Sequence, residues 1–450
     1  MASEARRLHV RPPARRESRR VSPAAVPAVE IGTVPFAWTA FWFWIGLDPG
    51  LSVLMRRGLI LHDILSIGVI SLLAGWVVLG NARLTAFGAG GVGALVVAIN
   101  AVNIVSVLVS PVTFASPARI YGPLVSWIAA SVLVTTLVRG RAGGELLTRM
   151  GAAFVTGTIV TVLSPIAVYH LDFLAVRYGL SVLDPNTVGF RAVVALMFVL
   201  GGGVARRVDR LRAWLAALFV TMLILSFSKT AIVGAAAGLL ALWMFSGRRV
   251  SLGRRWYLQL IAVAIPVAIF WSRLVAEYTA YIGNAQEFDT LSGRTVLWQL
   301  VLDLSSAHPW LGYGFQTFRD VIAPYSSIWG NSLIVHAHNA YLTALLQTGY
   351  LGTGLFVLMV VTMIWQFVRL ACRPRLPHVA LWMALVLILL IRSWTEGTFA
   401  ASTPEFAMLA ALAMIGGRLL SDEPQPDAAR SPGVRRMPSR PGAPRERWAG

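Results

Sequence analysis

The 450-residue chain is 56% hydrophobic and only 13% charged, with 16 Trp and a mean hydropathy of +0.68, a composition that excludes an ordinary soluble domain. Its formal net charge of +19 raises the question of nucleic acid. The arginines are spread over short loops and form no single patch, so no nucleic-acid partner is expected.

Along the chain, the first 31 residues are basic and rich in Pro and Arg. They resemble the basic region of a signal peptide but are too long, and no small-residue cleavage site follows a short apolar core. They read as a disordered cytoplasmic tail. Apolar runs then recur near residues 32–47, 58–80, 84–110, 118–138, 150–169, 187–204, 213–228, 230–247, 256–272, 339–368, 379–396 and 404–418. Each is long enough for about one crossing of a hydrocarbon core roughly 30 Å thick. The runs are continuous where a barrel strand would alternate, so they predict helices. The expected fold is an all-α polytopic membrane protein of about twelve helices, embedded in membrane lipid. Residues 32–272 hold the first nine helices, 273–338 form one large external loop containing amphipathic helices, 339–418 hold the last three, and 419–450 form a second disordered tail.

With the N-terminus placed inside, the cytoplasmic pieces hold 29 of the 39 basic and 9 of the 20 acidic residues, a net +20, and the remainder nets −1. That partition follows the positive-inside rule and predicts both tails in the cytoplasm. The single cysteine, Cys372, excludes a disulfide framework or a cysteine metal site within the chain.

The connection 273–338 would then face outside, the periplasm if the chain sits in the inner membrane of a Gram-negative bacterium, and a loop of this length between packed elements leans toward function. Within it, LSGRTVLWQLVLDLSSAHPWLGYGFQTF (291–318) places Val296, Leu297, Leu300, Val301 and Leu304 at helical spacing, which predicts an amphipathic helix against the membrane face. Arg294 stands at the start of that helix, where a cation gains nothing from the helix dipole and needs another partner, such as a bound anion. Next comes HAHNAYLTALLQTGYLG (336–352). On one helix, His338, Leu342, Leu345, Gly349 and Gly352 share a stripe, and the two glycines are expected to admit a neighbouring helix. Spacing alone does not separate an interfacial histidine from a functional one.

Lys229, in LSFSKTAIVG, is the only lysine in the chain. It reads either as a snorkelling interface marker or as a compact charge facing the same outer cavity as Arg294 and His338. Two or three cations beside an imidazole, with no acidic metal-ligand cluster, suit a phosphate-bearing lipid processed without metal or cofactor.

HNAYLTALLQTGYLG (338–352) resembles the signature of the O-antigen ligase and polysaccharide polymerase superfamily: His, then Asn, Ser or Gln, nine residues, Gly, two residues, and Gly, Thr or Tyr. His338, Asn339, Gly349 and Gly352 meet it at the required spacing. SGRTVLW (292–298) and HPWLGYGFQTF (308–318) are similar to the stretch preceding that motif, and SFSKTA (226–231), DPNTVGF (184–190) and RSWTEG (392–397) look like weaker blocks. The resemblance implies about twelve helices, cytoplasmic termini and a metal-independent glycosyltransferase. Such an enzyme moves a glycan from undecaprenyl diphosphate to a glycan or lipid A core acceptor. It further implies that His338 activates the acceptor hydroxyl and that Arg294 engages diphosphate. Lys229 sits where many ligases have arginine, and lysine offers a point charge in place of a two-pronged clamp.

By the charge flow of the reaction, Arg294 and Lys229 would meet the negative charge growing on the leaving diphosphate. An imidazole, with an ordinary pKa of about 6.5, would take the acceptor proton, and attack opposite the leaving group would invert the anomeric centre. Asn339, His336, Arg392 and Glu396 complete the candidate substrate-binding set, with His336, two residues before the motif histidine, as an accessory group that binds sugar or shapes the loop. Four residues apart on one helical face, Arg392 and Glu396 are expected to pair with each other, with Glu396 orienting a sugar hydroxyl as the alternative. Three readings stand. The first is polymerisation of exopolysaccharide or O-antigen repeat units, with flippase and chain-length regulator proteins as partners. The second is ligation of O-antigen to lipid A core. The third is a small-solute transporter, which would place its ionisable residues nearer mid-membrane.

Overall fold

A computed structural model describes residues 33–54, 59–80, 91–112, 118–138, 142–169, 185–202, 209–226, 228–246, 294–329, 334, 336–372, 377–396 and 403–421. Among the described residues every regular element is helical: α1 (Thr33–Leu54), α2 (Leu59–Gly80), α3 (Gly91–Leu108), α4 (Ala118–Leu137), α5 (Gly143–Tyr169), α6 (Pro185–Gly201), α7 (Asp209–Leu225) and α8 (Lys229–Phe245), then α9 (Arg294–Ser305), α10 (Phe318–Ile322), a 3-10 turn (Ala323–Trp329), α11 (Ala340–Ala371), α12 (Pro377–Thr395) and α13 (Thr403–Ser421). Helices stand at eleven of the twelve expected span positions. The expected span 256–272 and the bulk of both expected tails lie outside the described residues, as does much of the connection 273–338.

Five described segments are long and apolar enough to cross a membrane by length and composition: Gly91–Leu108, Gly143–Leu163, Ala340–Ala371, His378–Thr395 and Pro404–Ser421. Shorter apolar stretches fill α1, α2, α4, α6, α7 and α8. The chain is a multi-pass membrane protein. Its core is aromatic and aliphatic, with Trp38, Trp42, Phe154, Phe198, Trp382 and Phe406 buried. Trp127 of α4 stacks on Phe406 of α13 with ring centroids 3.8 Å apart. One face of α11 buries Phe356, Met359, Val360 and Met363, and the other exposes Val357, Leu358, Val361, Ile364 and Val368. In water such a face would be costly; against acyl chains it is not.

The apolar side of α9 differs from expectation. Leu297 and Val301 are buried with Phe318, Val321, Ile322, Ala337 and Leu346, and Leu300 and Leu304 pack partly against them. Val296 points away, half exposed. The helix therefore spends its apolar face on α10 and the start of α11, not on the membrane surface.

A second difference is that α11 is broken. Gly349 has φ 62° and ψ −162° inside it, a left-handed conformation that glycine adopts without steric cost. Segment 308–314 closes the gap. Tyr313 N and Gly314 N donate to the Leu346 and Gln347 carbonyls at 2.9 and 2.8 Å, and Tyr350 N and Leu351 N donate to the Pro309 and Trp310 carbonyls at 2.7 and 3.2 Å. Those four bonds satisfy backbone groups that the break frees, as a low-dielectric surrounding demands. Gly312, also left-handed at φ 62°, has no room for a Cβ, which would lie 2.5 Å from the Leu346 oxygen. The two motif glycines of α11 thus do not admit another helix. A Cβ on Gly349 would overlap the Trp310 carbonyl, and one on Gly352 would overlap Thr348 of its own helix. On the far side, segment 308–314 is tied to the end of α3: Ser110 Oγ donates to the Tyr313 carbonyl, and Phe315 N donates to Ser106 Oγ at 3.1 Å.

Candidate functional site

The clasped half of α11 begins with a cap. Asn339 is the N-cap, its side chain accepting from Tyr341 N and Leu342 N at 3.0 and 3.1 Å, which satisfies two of the donors that open a helix. Its Nδ2 donates to the Trp394 carbonyl at 3.3 Å, reaching the end of α12. Just before it, Ala337 is completely buried. Ala337 N donates to Thr343 Oγ1 at 3.1 Å, and its carbonyl accepts from Trp298 Nε1 of α9 at 2.8 Å. His338 therefore projects from a turn held between α9, α11 and α12. It has φ +49°, a strained value for a residue with a side chain, and such strain collects at functional sites.

His338 Nδ1 lies 3.2 Å from Glu396 Oε2. Glu396 follows the last residue of α12, with only 3% of its side chain exposed against 35% for His338. Burial by itself raises the Glu396 carboxyl, but the hydrogen bond from His338 and the positive charge of Arg392 outweigh it, and the group sits below its ordinary value. An ionised carboxylate only accepts, so the proton of a neutral His338 is on Nδ1 and its Nε2 lone pair is free. Arg294 closes the third side. Its Nη1 donates to the Thr395 carbonyl at 2.9 Å, and its Nη2 stands 3.8 Å from Glu396 Oε1. A histidine, a carboxylate and a guanidinium from three separate segments meet at one point.

His336 adjoins them, its ring edge-on to that of His338 with centroids 4.4 Å apart. Its Nδ1 accepts the His338 backbone N–H at 3.2 Å. Burial, followed by repulsion from His338, lowers its pKa to about 3, so it is neutral. His336, His338 and Glu396 each bring one ligand atom within 4.8 Å of the others, the one such grouping of three among the described residues. A cation placed there would compete with the Arg294 charge on the same carboxylate.

The expected pairing of Arg392 with Glu396 is replaced by another. Arg392, buried, directs Nη2 at Glu405 of α13 at 3.4 Å and Nη1 at the Asn186 carbonyl of α6 at 3.1 Å, with its guanidinium 4.2 Å from the Phe190 ring centroid. A salt bridge along one helix face gains little, whereas a buried guanidinium needs partners on every side. Asn186 Oδ1 in turn accepts from Ser228 Oγ at 2.9 Å, and Ser228 caps α8 beside exposed Lys229. Lys229 thus adjoins Ser228, which connects through Asn186 to Arg392, two residues after which α12 bonds to the Asn339 cap through Trp394. Arg294, at the start of α9, has the Thr395 carbonyl and Glu396 as its protein partners, and its side chain is still 27% exposed. Glu405 was not apparent from sequence; the available signal was a carboxylate in the first turn of an apolar helix.

The sequence pattern of one family, described as O-antigen ligase, matches residues 213–357, which carry Lys229, Arg294, His336, His338 and Asn339. That segment, about a third of the chain, is similar to the O-antigen ligase family. The chain is also similar to the exopolysaccharide production protein ExoQ of Rhizobium meliloti (strain 1021), at 27% identity over 122 residues. That alignment spans 26% of this chain and 28% of ExoQ. The family segment ends inside α11, so Arg392, Glu396 and Glu405, which contribute to the site from α12 and α13, lie beyond it.

Proposed function

We propose that the chain is a glycosyltransferase that moves a glycan from undecaprenyl diphosphate to an acceptor sugar on the periplasmic side of the bacterial inner membrane, and that it polymerises exopolysaccharide or O-antigen repeat units. The observation that carries this reading is the contact between His338 Nδ1 and Glu396 at 3.2 Å, which leaves Nε2 as the base. The acceptor O–H gives its proton to His338 Nε2 while its oxygen bonds to the anomeric carbon. The bond from that carbon to the diphosphate oxygen breaks, and its electron pair departs with the undecaprenyl diphosphate. Glu396 stabilises the imidazolium that forms, and Arg294, beside it, meets the charge growing on the leaving group, with Lys229 as a more remote cation. The proton transfer and the charge compensation both use protein groups, without metal.

Similarity to an exopolysaccharide production protein supports the polymerase reading. The family description supports a second one, ligation of O-antigen to lipid A core. Both use the same donor and the same cluster. The test uses full-length wild type and His338→Ala with lipid-linked oligosaccharide isolated from cells deleted for this chain, and follows transfer against pH. Wild-type turnover should decline on the acid side as the base becomes protonated. His338→Ala should lose most turnover at matched membrane levels and still bind the donor. Near-native transfer by His338→Ala would falsify the base assignment.

A further inference from the structure

His336 lies beside the reactive ring, yet its own ring faces inward to the backbone. Its Nδ1 accepts the N–H of the residue two positions on, His338, at 3.2 Å. That bond closes the same ring as an Asx turn, in which an Asn or Asp side-chain oxygen accepts from the N–H two residues later. The atom count from Cα to acceptor is identical for His Nδ1 and Asn Oδ1. The acceptor is wanted because His338 adopts φ +49°, a conformation costing on the order of 1–2 kcal/mol for a residue with a Cβ. The surrounding bonds fix its neighbours: Ala337 through Thr343 and Trp298, and Asn339 through the helix cap and Trp394.

We propose that His336 is a positioning residue that acts as a neutral Asx-type strut, holding the His338 backbone in its left-handed conformation so that Nδ1 meets Glu396 and Nε2 faces the acceptor. The proposal rests on the reading of His338 as the base. Of the two roles the sequence leaves open for His336, binding sugar or shaping the loop, the proposal takes the second. An Nδ1 that accepts a backbone N–H cannot carry a proton, and the lowered pKa of His336 agrees with that requirement. In a neutral ring the proton is then on Nε2.

The strut and a sugar contact differ in what replaces histidine. Asparagine keeps the acceptor at the same number of bonds; leucine keeps bulk and removes it. Full-length His336→Asn, His336→Leu and His338→Ala are compared at matched membrane levels, with lipid-linked oligosaccharide from cells deleted for this chain as donor. His336→Leu should lose on the order of 10²-fold in kcat with KM for the donor nearly unchanged, the signature of a misplaced catalytic group. His336→Asn should recover to within about threefold of wild type in kcat and keep the wild-type pH profile. Native kcat in His336→Leu, an Asn variant no better than Leu, or a loss confined to donor KM overturns the strut. If the Leu variant does not accumulate in membranes, the Asn variant decides alone, since low turnover there is incompatible with the proposal. His338→Ala separates the two ideas: if it stays active the base reading falls, and if it is inactive while His336→Leu is native only the strut falls.

Discussion

Glu396→Gln isolates the charge of the carboxylate from its shape. Glutamine keeps an oxygen that can accept from His338 Nδ1, and Arg294 keeps its 2.9 Å bond to the Thr395 carbonyl, so the local geometry has a reason to persist. What is lost is the attraction between carboxylate and imidazolium in the transition state. At the observed 3.2 Å, two unit charges attract by about 5 kcal/mol at an effective dielectric of roughly 20. The His338 side chain is 35% exposed, so water screens part of that, and about 2–3 kcal/mol remains. This corresponds to a loss on the order of 10²-fold in kcat. It is smaller than the roughly 10⁴-fold that follows carboxylate-to-amide replacement in the deeply buried triads of hydrolases. The assay is steady-state transfer in membranes containing full-length protein, with kcat and donor KM resolved separately. Glu396→Asp should be comparably poor, because the shorter side chain withdraws the carboxylate from Nδ1. A Glu396→Gln enzyme within about threefold of wild type in kcat, or one impaired only in donor KM, refutes the dyad.

Arg294→Ala should cost on the order of 10²-fold in turnover, and Lys229→Ala less, with Lys229→Arg milder still; equal and near-native products from both alanine variants would remove the role in meeting diphosphate charge. Gly349→Ala should lower the melting temperature in detergent and increase proteolysis near segment 308–314, because a Cβ there meets the Trp310 backbone, whereas Gly354→Ala, with open space around it, should be neutral or slightly stabilising. The folded pKa of His336 is about 3 against an ordinary 6.5, so the unfolded chain binds the extra proton and stability declines as pH falls from 6.5 toward 3. The slope from this group is at most about 1.4 kcal/mol per pH unit. Melting curves between about pH 7 and pH 5 should be steeper in pH for wild type than for His336→Asn, and identical slopes would contradict the neutral ring.

Much of the architecture was legible in the sequence because span length and hydropathy are local. Apolar runs marked helices at eleven of twelve positions, and none of the described elements asks for a strand. The motif residues were legible too: His338, Asn339 and Arg294, chosen from spacing and resemblance, meet around Glu396 and the end of α12. Other readings misplaced the partners. Arg392 and Glu396 share a helical face, which suggested a pair, but the bundle turns Arg392 toward Glu405 and Asn186. Gly349 and Gly352 sit at the period of a helix interface, but a left-handed φ at Gly349 breaks the helix and admits a strap.

What the sequence by itself determined is the class of protein, the placement of its helices and the residue types that can do proton and charge chemistry, since each follows from composition and short-range periodicity. The tertiary structure alone decided which of those groups touch. In a membrane the residues facing lipid and the residues facing the core are both apolar, so hydropathy carries little information about how each helix is rotated. Contacts such as His338 with Glu396, 58 residues apart, and Arg392 with Asn186, 206 residues apart, depend on that rotation. They are set by the packing of whole helices and by the need of every buried charge and freed backbone group to find a partner.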